Sequence, residues 1–164
     1  MKKKIHKIMA CVDFSDYTLM VLEYAVELAK DSSAQILVFN VINDRDVHMV
    51  EMVSRYASHK IRVQDYIRDL EKERQVMIKN LIKKHFFDEK SIMSFKIDVG
   101  IPSEQILKTV QKEKIDLIVM ANKGRGNLSR ALFGSAAEKV FRHSLVPVVS
   151  VRDRKIFKRK EGKL

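Results

Sequence analysis

The sequence predicts an α/β protein built on an open sheet of five parallel strands, with helices on both faces. Short apolar runs recur along the chain and lack the polar alternation of half-exposed strands, which is typical of strands buried on both faces. Between these runs lie longer segments whose apolar residues recur at helical spacing. Alternation of the two patterns indicates successive βαβ units and therefore a parallel, Rossmann-like sheet.

The same patterns set the approximate bounds of the elements. Predicted strands cover residues 5–12, 35–42, 91–99, 115–121 and 146–151, and predicted helices cover residues 17–30, 61–87, 103–114 and 135–143. Ser15 or Asp16 is expected to cap the first helix, and Ser103 with Glu104 to open the third. Residues 43–60 show no sharp period. We expect a loop with an irregular helix there, acting as a lid over a pocket or as part of an interface.

Length and composition favour one globular domain over residues 1–152, followed by a basic tail over residues 153–164. No apolar run reaches the roughly 18 residues of a membrane span. The lysine-rich start resembles a signal peptide, but its apolar run is short and is broken by Asp13, so a cytoplasmic protein is expected. The single cysteine, Cys11, excludes an intrachain disulfide and is expected in the core. The five histidines show no ligand spacing.

The formal net charge of +11 is partly due to the last thirteen residues, where seven basic residues face two acidic ones. Such a tail is expected to be solvated and disordered. The alternative is a contact with nucleic acid or another anionic partner.

Residues 115–150 combine an apolar strand, a basic loop containing glycine, and a helix that opens at Gly134-Ser135. The spacing is Ala121-x-x-Gly124, nine residues, then Gly134-Ser135. Loop glycines let main-chain N–H groups approach an anion, and a helix N-terminus adds unpaired donors. This arrangement predicts a phosphate site, although turn glycines and a plain helix cap would give the same pattern.

Asp13 and Val41 end the first and second predicted strands. Doubly wound sheets bind ligands at the carboxyl edge, where the strand order reverses. If strands one and four flank that point, Asp13 meets the phosphate loop across one crevice. Its carboxylate would accept a hydrogen bond from a ribose hydroxyl or a base amine, or would cap the helix instead. Val41 would form an apolar wall for adenine, so the combination predicts a nucleotide.

From Lys7 to Val151 the chain resembles the universal stress protein (UspA-like) family. The first shared feature is an aspartate and a serine after the first strand, here Asp13-Phe14-Ser15. The others are the turn Gly100-Ile101-Pro102, the glycine motif from Ala121 to Ser135, and the last strand with Pro147-Val148-Val149. The resemblance implies the strand order 3-2-1-4-5 of the adenine-nucleotide alpha-hydrolase-like fold. It also implies homodimers that pair through the last strand, from Val146 to Val151.

The glycine-motif branch of the family binds ATP or AMP and acts in regulation and stress response rather than as an efficient enzyme. No catalytic residue is assigned, and slow ATP hydrolysis is the most that is expected. Mg²⁺ would enter with the phosphates, with Asp13 as its protein ligand. The contacts that the resemblance implies are Val12, Asp13, Val41, Met120, Ala121, Gly124, Gly134, Ser135 and Ala136. The alternative is an interaction protein with a vestigial pocket.

Ala121 departs from the motif, because it replaces the first glycine. A positive φ at this position would strain the backbone by roughly 1 kcal/mol or more, whereas a negative φ would make the extra methyl nearly harmless. We expect weaker nucleotide binding than with glycine.

Overall fold

The computed structural model describes residues 4–56, 62–123 and 134–152. All strands pair in parallel in the order β3-β2-β1-β4-β5. The α/β fold with its 3-2-1-4-5 sheet is therefore confirmed. The elements in chain order are β1 (Lys7–Cys11), α1 (Thr18–Lys30), β2 (Gln35–Asn43), α2 (Asp44–Tyr56), α3 (Val63–His85), β3 (Met93–Gly100), α4 (Pro102–Lys112), β4 (Leu117–Ala121), α5 (Ser135–His143) and β5 (Val148–Val151).

Two apolar clusters cover the two faces of the sheet, because side chains alternate along each strand. On one face, α1 and α3 pack on β1, β2 and β4 through residues such as Val21, Ile78 and Val119. On the other face, α4 and α5 pack through residues such as Ile106 and Val140. Both faces of the central strands are buried, which explains why the sequence of these strands is almost continuously apolar.

The strand order reverses between β1 and β4. The chain first builds outward from β1 to β2 and β3, then returns to place β4 and β5 on the other side of β1. Loops on the two sides of this point diverge to opposite faces of the sheet, and a crevice opens between them.

The described part of the segment 43–60 is more regular than its sequence indicated. Residues Asp44–Tyr56 form helix α2, which packs against α3, β2 and β3. Its apolar residues Met49, Met52, Val53 and Tyr56 lie on one helical face and are all more than half exposed. The apolar stripe therefore faces away from the core, and the usual signature of an amphipathic surface helix is inverted.

The predicted helix caps are only partly correct. The residue that precedes α1 is Tyr17, which makes no side-chain cap, and the Ser15 hydroxyl accepts a hydrogen bond from the Tyr17 N–H at 3.4 Å. Helix α4 begins at Pro102, one residue before Ser103, because proline fits the first helical turn without needing a donor. Gly100 has φ +146°, a backbone conformation that residues with a side chain rarely adopt, so this turn favours glycine.

Two predictions fall wholly or partly on residues that the structure leaves undescribed. The basic tail lies outside the described residues, as does Gly124 with the rest of the loop 124–133. In the part of the chain that is described, no helix has both the length and the apolarity to cross a membrane.

Candidate functional site

A cavity of about 630 Å³ opens at the carboxyl edge of the sheet, where the connections that follow β1 and β4 diverge. The volume falls in the range of sites that hold small molecules or cofactors. Of the residues predicted to bind a nucleotide, the structure brings seven to its wall: Val12, Asp13, Val41, Ala121, Gly134, Ser135 and Ala136. Residues that are far apart in sequence thus border one space.

Met120 is the described residue of that predicted set that does not line the cavity. It is 6% exposed and belongs to the core on the α4/α5 face, with Phe39 and Ala137.

One wall of the cavity is apolar and lies on the α4/α5 face. It is formed by Cys11, Phe39, Val41, Ile106 and Ala137. The three strand residues of this wall lie on the same face because they occupy alternate positions of β1 and β2. A wall of this kind suits a flat, weakly polar ring.

Burial in this wall, together with the nearby carboxylate of Asp13, raises the pKa of the Cys11 thiol to about 12. The thiol therefore stays protonated at neutral pH and behaves as a small apolar group.

The opposite wall, on the α1/α3 face, contains a buried polar network that sequence reasoning missed. Arg74 of α3 is 6% exposed, and its Nη1 donates to Asn40 Oδ1 at 2.7 Å and to the Val41 carbonyl at 3.0 Å. Asn40 Nδ2 donates in turn to the Val12 carbonyl at 2.7 Å. The network ties the ends of β1 and β2 to α3.

The sequence contains a signal for Asn40 but none for Arg74. Asn40 interrupts the apolar run QILVFNVI of β2, and a polar residue inside a buried strand signals a hydrogen-bonded site. Arg74 carries no such signal, because it lies among the alternating charges of a helix that reads as solvent-exposed. The same guanidinium lies 5.9 Å from the centre of the Phe14 ring.

Asp13 is held by the turn that follows β1. Its Oδ1 accepts hydrogen bonds from the Ser15 N–H at 3.1 Å and the Ser15 hydroxyl at 2.6 Å. Phe14, between them, has φ +59°, an uncommon backbone conformation for a bulky residue that these hydrogen bonds help to maintain. The carboxylate is half-buried at the cavity wall. Asp13 therefore orders the turn and does not cap α1 directly.

The N-terminus of α5 forms another part of the wall. Gly134 precedes the helix in an extended conformation and, as glycine, has no side chain that could cap the first turn. Asn122 holds both sides of this opening, because its carbonyl accepts from the Gly134 N–H at 2.8 Å and its N–H donates to the Val151 carbonyl at 3.1 Å. Lys123 also lines the cavity. First-turn N–H groups and a lysine together favour an anion.

The backbone conformation of Ala121 decides whether alanine is strained at the position of the first motif glycine. Ala121 is the last residue of β4, pairs with Val151, and is not among the residues with positive φ. Alanine is therefore unstrained at this position, and its methyl packs against the α1/α3 core.

Helix α2 supplies the remaining side of the cavity through Arg45, Asp46 and Met49, with Asn43 at the end of β2. The sequence analysis expected this segment to form a lid over a pocket or part of an interface and named no contact residue within it. Within residues 4–56, 62–123 and 134–152, no cluster of three or more histidine, cysteine, aspartate or glutamate side chains could hold a metal ion.

Comparison with known proteins agrees with this architecture. The chain is 28% identical over 152 residues to universal stress protein MJ0577 of Methanocaldococcus jannaschii, an alignment covering 89% of this chain and 94% of that one. The solved structure of MJ0577 superposes with a TM-score of 0.74 at 26% identity, covering 91% of this chain and 96% of that one.

Two less similar structures share the fold. UspA from Lactobacillus plantarum has a TM-score of 0.71 at 21% identity, covering 92% of this chain and 100% of that one. A universal stress protein in complex with cAMP has a TM-score of 0.59 at 18% identity, covering 91% and 98%. The model of the universal stress protein family matches residues 4–152. With this fold and this match over most of its length, the chain belongs to the universal stress protein family.

Proposed function

We propose that this protein is cytoplasmic, binds an adenine nucleotide, ATP or AMP, and acts as a regulatory module in the stress response. The observation that carries the proposal is the juxtaposition of an apolar wall with a helix N-terminus in one cavity. Adenine would lie against Cys11, Phe39 and Val41, and the phosphates would lie at Ser135 and Ala136 near Lys123. The proposal extends to Gly124 from the sequence motif alone.

Charge around the cavity favours this orientation over the reverse. Asp13 and Arg74 line the cavity at the ends of β1 and β2, where their charges offset each other, and the Asp13 carboxylate can accept a hydrogen bond from a sugar hydroxyl. At the other end, α5 and Lys123 offer donors and positive charge. Mg²⁺ would arrive with the phosphates, which supply most of its ligands.

The test is calorimetric titration of ATP, AMP and cAMP, with and without Mg²⁺, into protein shown to carry no co-purified nucleotide. We expect ATP or AMP to bind, and Ser135→Asp to weaken that binding about tenfold or more, because a carboxylate at the first turn of α5 repels phosphate. An aspartate at this position favours the helix dipole, so the unfolding temperature should not fall.

A matched control is Gln64→Asp, which adds the same charge to the first turn of α3, at an exposed residue that does not line the cavity. It should bind like the wild type. Absence of nucleotide binding by the wild-type protein would overturn the proposal, and so would equal affinities of the Ser135→Asp variant and the wild type.

A homodimer through β5 is the second part of the proposal. β5 is an edge strand of the described sheet. The Pro147 and Val151 carbonyls accept from the Ile118 and Asn122 N–H groups, so the alternate residues Val148 and Ser150 direct their backbone groups away from β4. Val148→Pro removes an outward N–H and should give monomers in sedimentation, while Val148→Ala should remain dimeric. A dimer that persists in the proline variant would contradict pairing through this strand.

A further inference from the structure

Thr18, the first residue of α1, is buried at the cavity without a hydrogen-bond partner. It is 5% exposed, it lines the cavity, and its hydroxyl oxygen is solvent-excluded and unpaired among the described residues. A buried hydroxyl without a partner is unfavourable, and most such groups in native proteins are satisfied. A bound ligand that supplies the missing partner would remove this cost.

The turn before α1 keeps Thr18 close to Asp13. The Thr18 N–H donates to the Ser15 carbonyl at 3.0 Å, and the Ser15 N–H donates to Asp13 Oδ1 at 3.1 Å. Both residues line the same cavity, and Thr18 belongs to α1, which packs on the α1/α3 face. A ligand group at this corner would therefore lie beside the carboxylate and, once the Thr18 side chain turns toward the cavity, beside the hydroxyl as well.

The groups around the cavity favour a sugar hydroxyl at this corner. A phosphate finds its donors at the N-terminus of α5 and at Lys123, and a base finds its apolar wall on the opposite face of the sheet. Arg74, which also lines the cavity, already donates to Asn40 and to the Val41 carbonyl. A sugar hydroxyl fits both neighbours, because it can donate to the carboxylate and either donate to or accept from the threonine hydroxyl.

We infer that Thr18 recognises a sugar hydroxyl of the bound nucleotide and so helps this site to distinguish ribonucleotides from deoxyribonucleotides. This inference rests on the proposed nucleotide binding. Engagement requires the Thr18 hydroxyl to rotate about χ1 toward the cavity. Threonine in helices populates two χ1 rotamers, so this rotation lies within its ordinary range.

The experiment compares ATP, 2′-deoxy-ATP and 3′-deoxy-ATP by calorimetry on the wild type, Thr18→Val and Thr18→Ser. Valine keeps the shape and removes the hydroxyl, whereas serine keeps the hydroxyl. The wild type should bind one of the deoxy analogues about 2- to 10-fold more weakly than ATP, the loss expected for one hydrogen bond. Thr18→Val should bind ATP more weakly by a similar factor and bind that analogue no more weakly than the wild type does. Thr18→Ser should behave like the wild type.

Unfolding without nucleotide gives a second readout. Thr18→Val should unfold at a temperature equal to or higher than the wild type, because the unpaired hydroxyl is gone, while its stabilisation by ATP should be smaller. A purely structural role for Thr18 would not move stability and affinity in opposite directions.

Each contrary outcome has a defined meaning. If the wild type binds ATP and both analogues equally, or if Thr18→Val keeps the wild-type affinities and preference, this inference is overturned while the proposed function stands. If the wild type binds no nucleotide, the proposed function fails and this inference fails with it.

Discussion

The two walls of the cavity come from the same strands and differ in chemistry. On the α4/α5 face, Cys11, Phe39 and Val41 present an apolar surface. On the α1/α3 face, Asn40 and Arg74 present a buried polar network. Asn40 lies between Phe39 and Val41 in β2, so one residue step along the strand separates the two environments.

The two walls are held in shape by different kinds of interaction. The apolar wall is defined by packing, which tolerates small changes in volume. The polar wall is defined by hydrogen bonds of fixed direction, and removal of one member leaves its partners buried and unpaired. We therefore expect the polar wall to be the more sensitive of the two.

The largest effect is expected from Arg74→Met, which keeps the stem of the side chain and removes the guanidinium. The Asn40 side chain and the Val41 carbonyl would lose their donor, and the free energy of unfolding should fall by about 3 kcal/mol in urea denaturation. The control is Arg68→Met on the same helix, whose side chain is 60% exposed and which should change stability by less than about 0.5 kcal/mol. Equal stabilities for the two variants would remove the structural role assigned to the polar wall.

An intermediate effect is expected from pH acting on the apolar wall. The pKa of Cys11 is raised from 9.0 to about 12 in the folded protein, so the unfolded chain loses its thiol proton first as pH rises. The contribution of the protonated thiol to the free energy of unfolding is therefore complete below about pH 9 and is lost as the pH rises toward 12. Between pH 8 and pH 10 the loss should be about 1.4 kcal/mol.

The matched variant for this measurement is Cys11→Val, which has no titrating group. Other groups titrate equally in both proteins, so the difference between the two stability–pH curves isolates the thiol. Parallel curves from pH 8 to pH 10 would show that the Cys11 thiol is not buried as described.

The smallest effect is expected from Ile106→Val in the apolar wall. Removing one methylene from this 4%-exposed residue should lower the free energy of unfolding by about 1 kcal/mol, as measured in urea. Nucleotide affinity should change by less than about threefold, because the remaining wall still excludes water. A loss of stability greater than that of Arg74→Met would reverse the ranking of the two walls.

Much of this architecture was predictable because the sheet is buried on both faces. The apolar strands identified β1, β2, β4 and β5, and the periodicity of α1 and α3 identified their helices to within about two residues. Helix α2 was not predictable as a regular helix, because its apolar face is exposed and the period of its apolar residues carries no information about the core.

Sequence alone determined the α/β class and the alternation of its elements, since both follow from local periodicity. It also marked Asp13, Val41 and Ser135 as candidate site residues, because their positions at strand and helix ends are local features. Only the tertiary structure revealed that Arg74 is buried against Asn40, that Thr18 is unpaired at the cavity, and that Ala121 is an unstrained strand residue. These three facts depend on contacts between distant segments and on backbone angles, and no spacing within one segment encodes them.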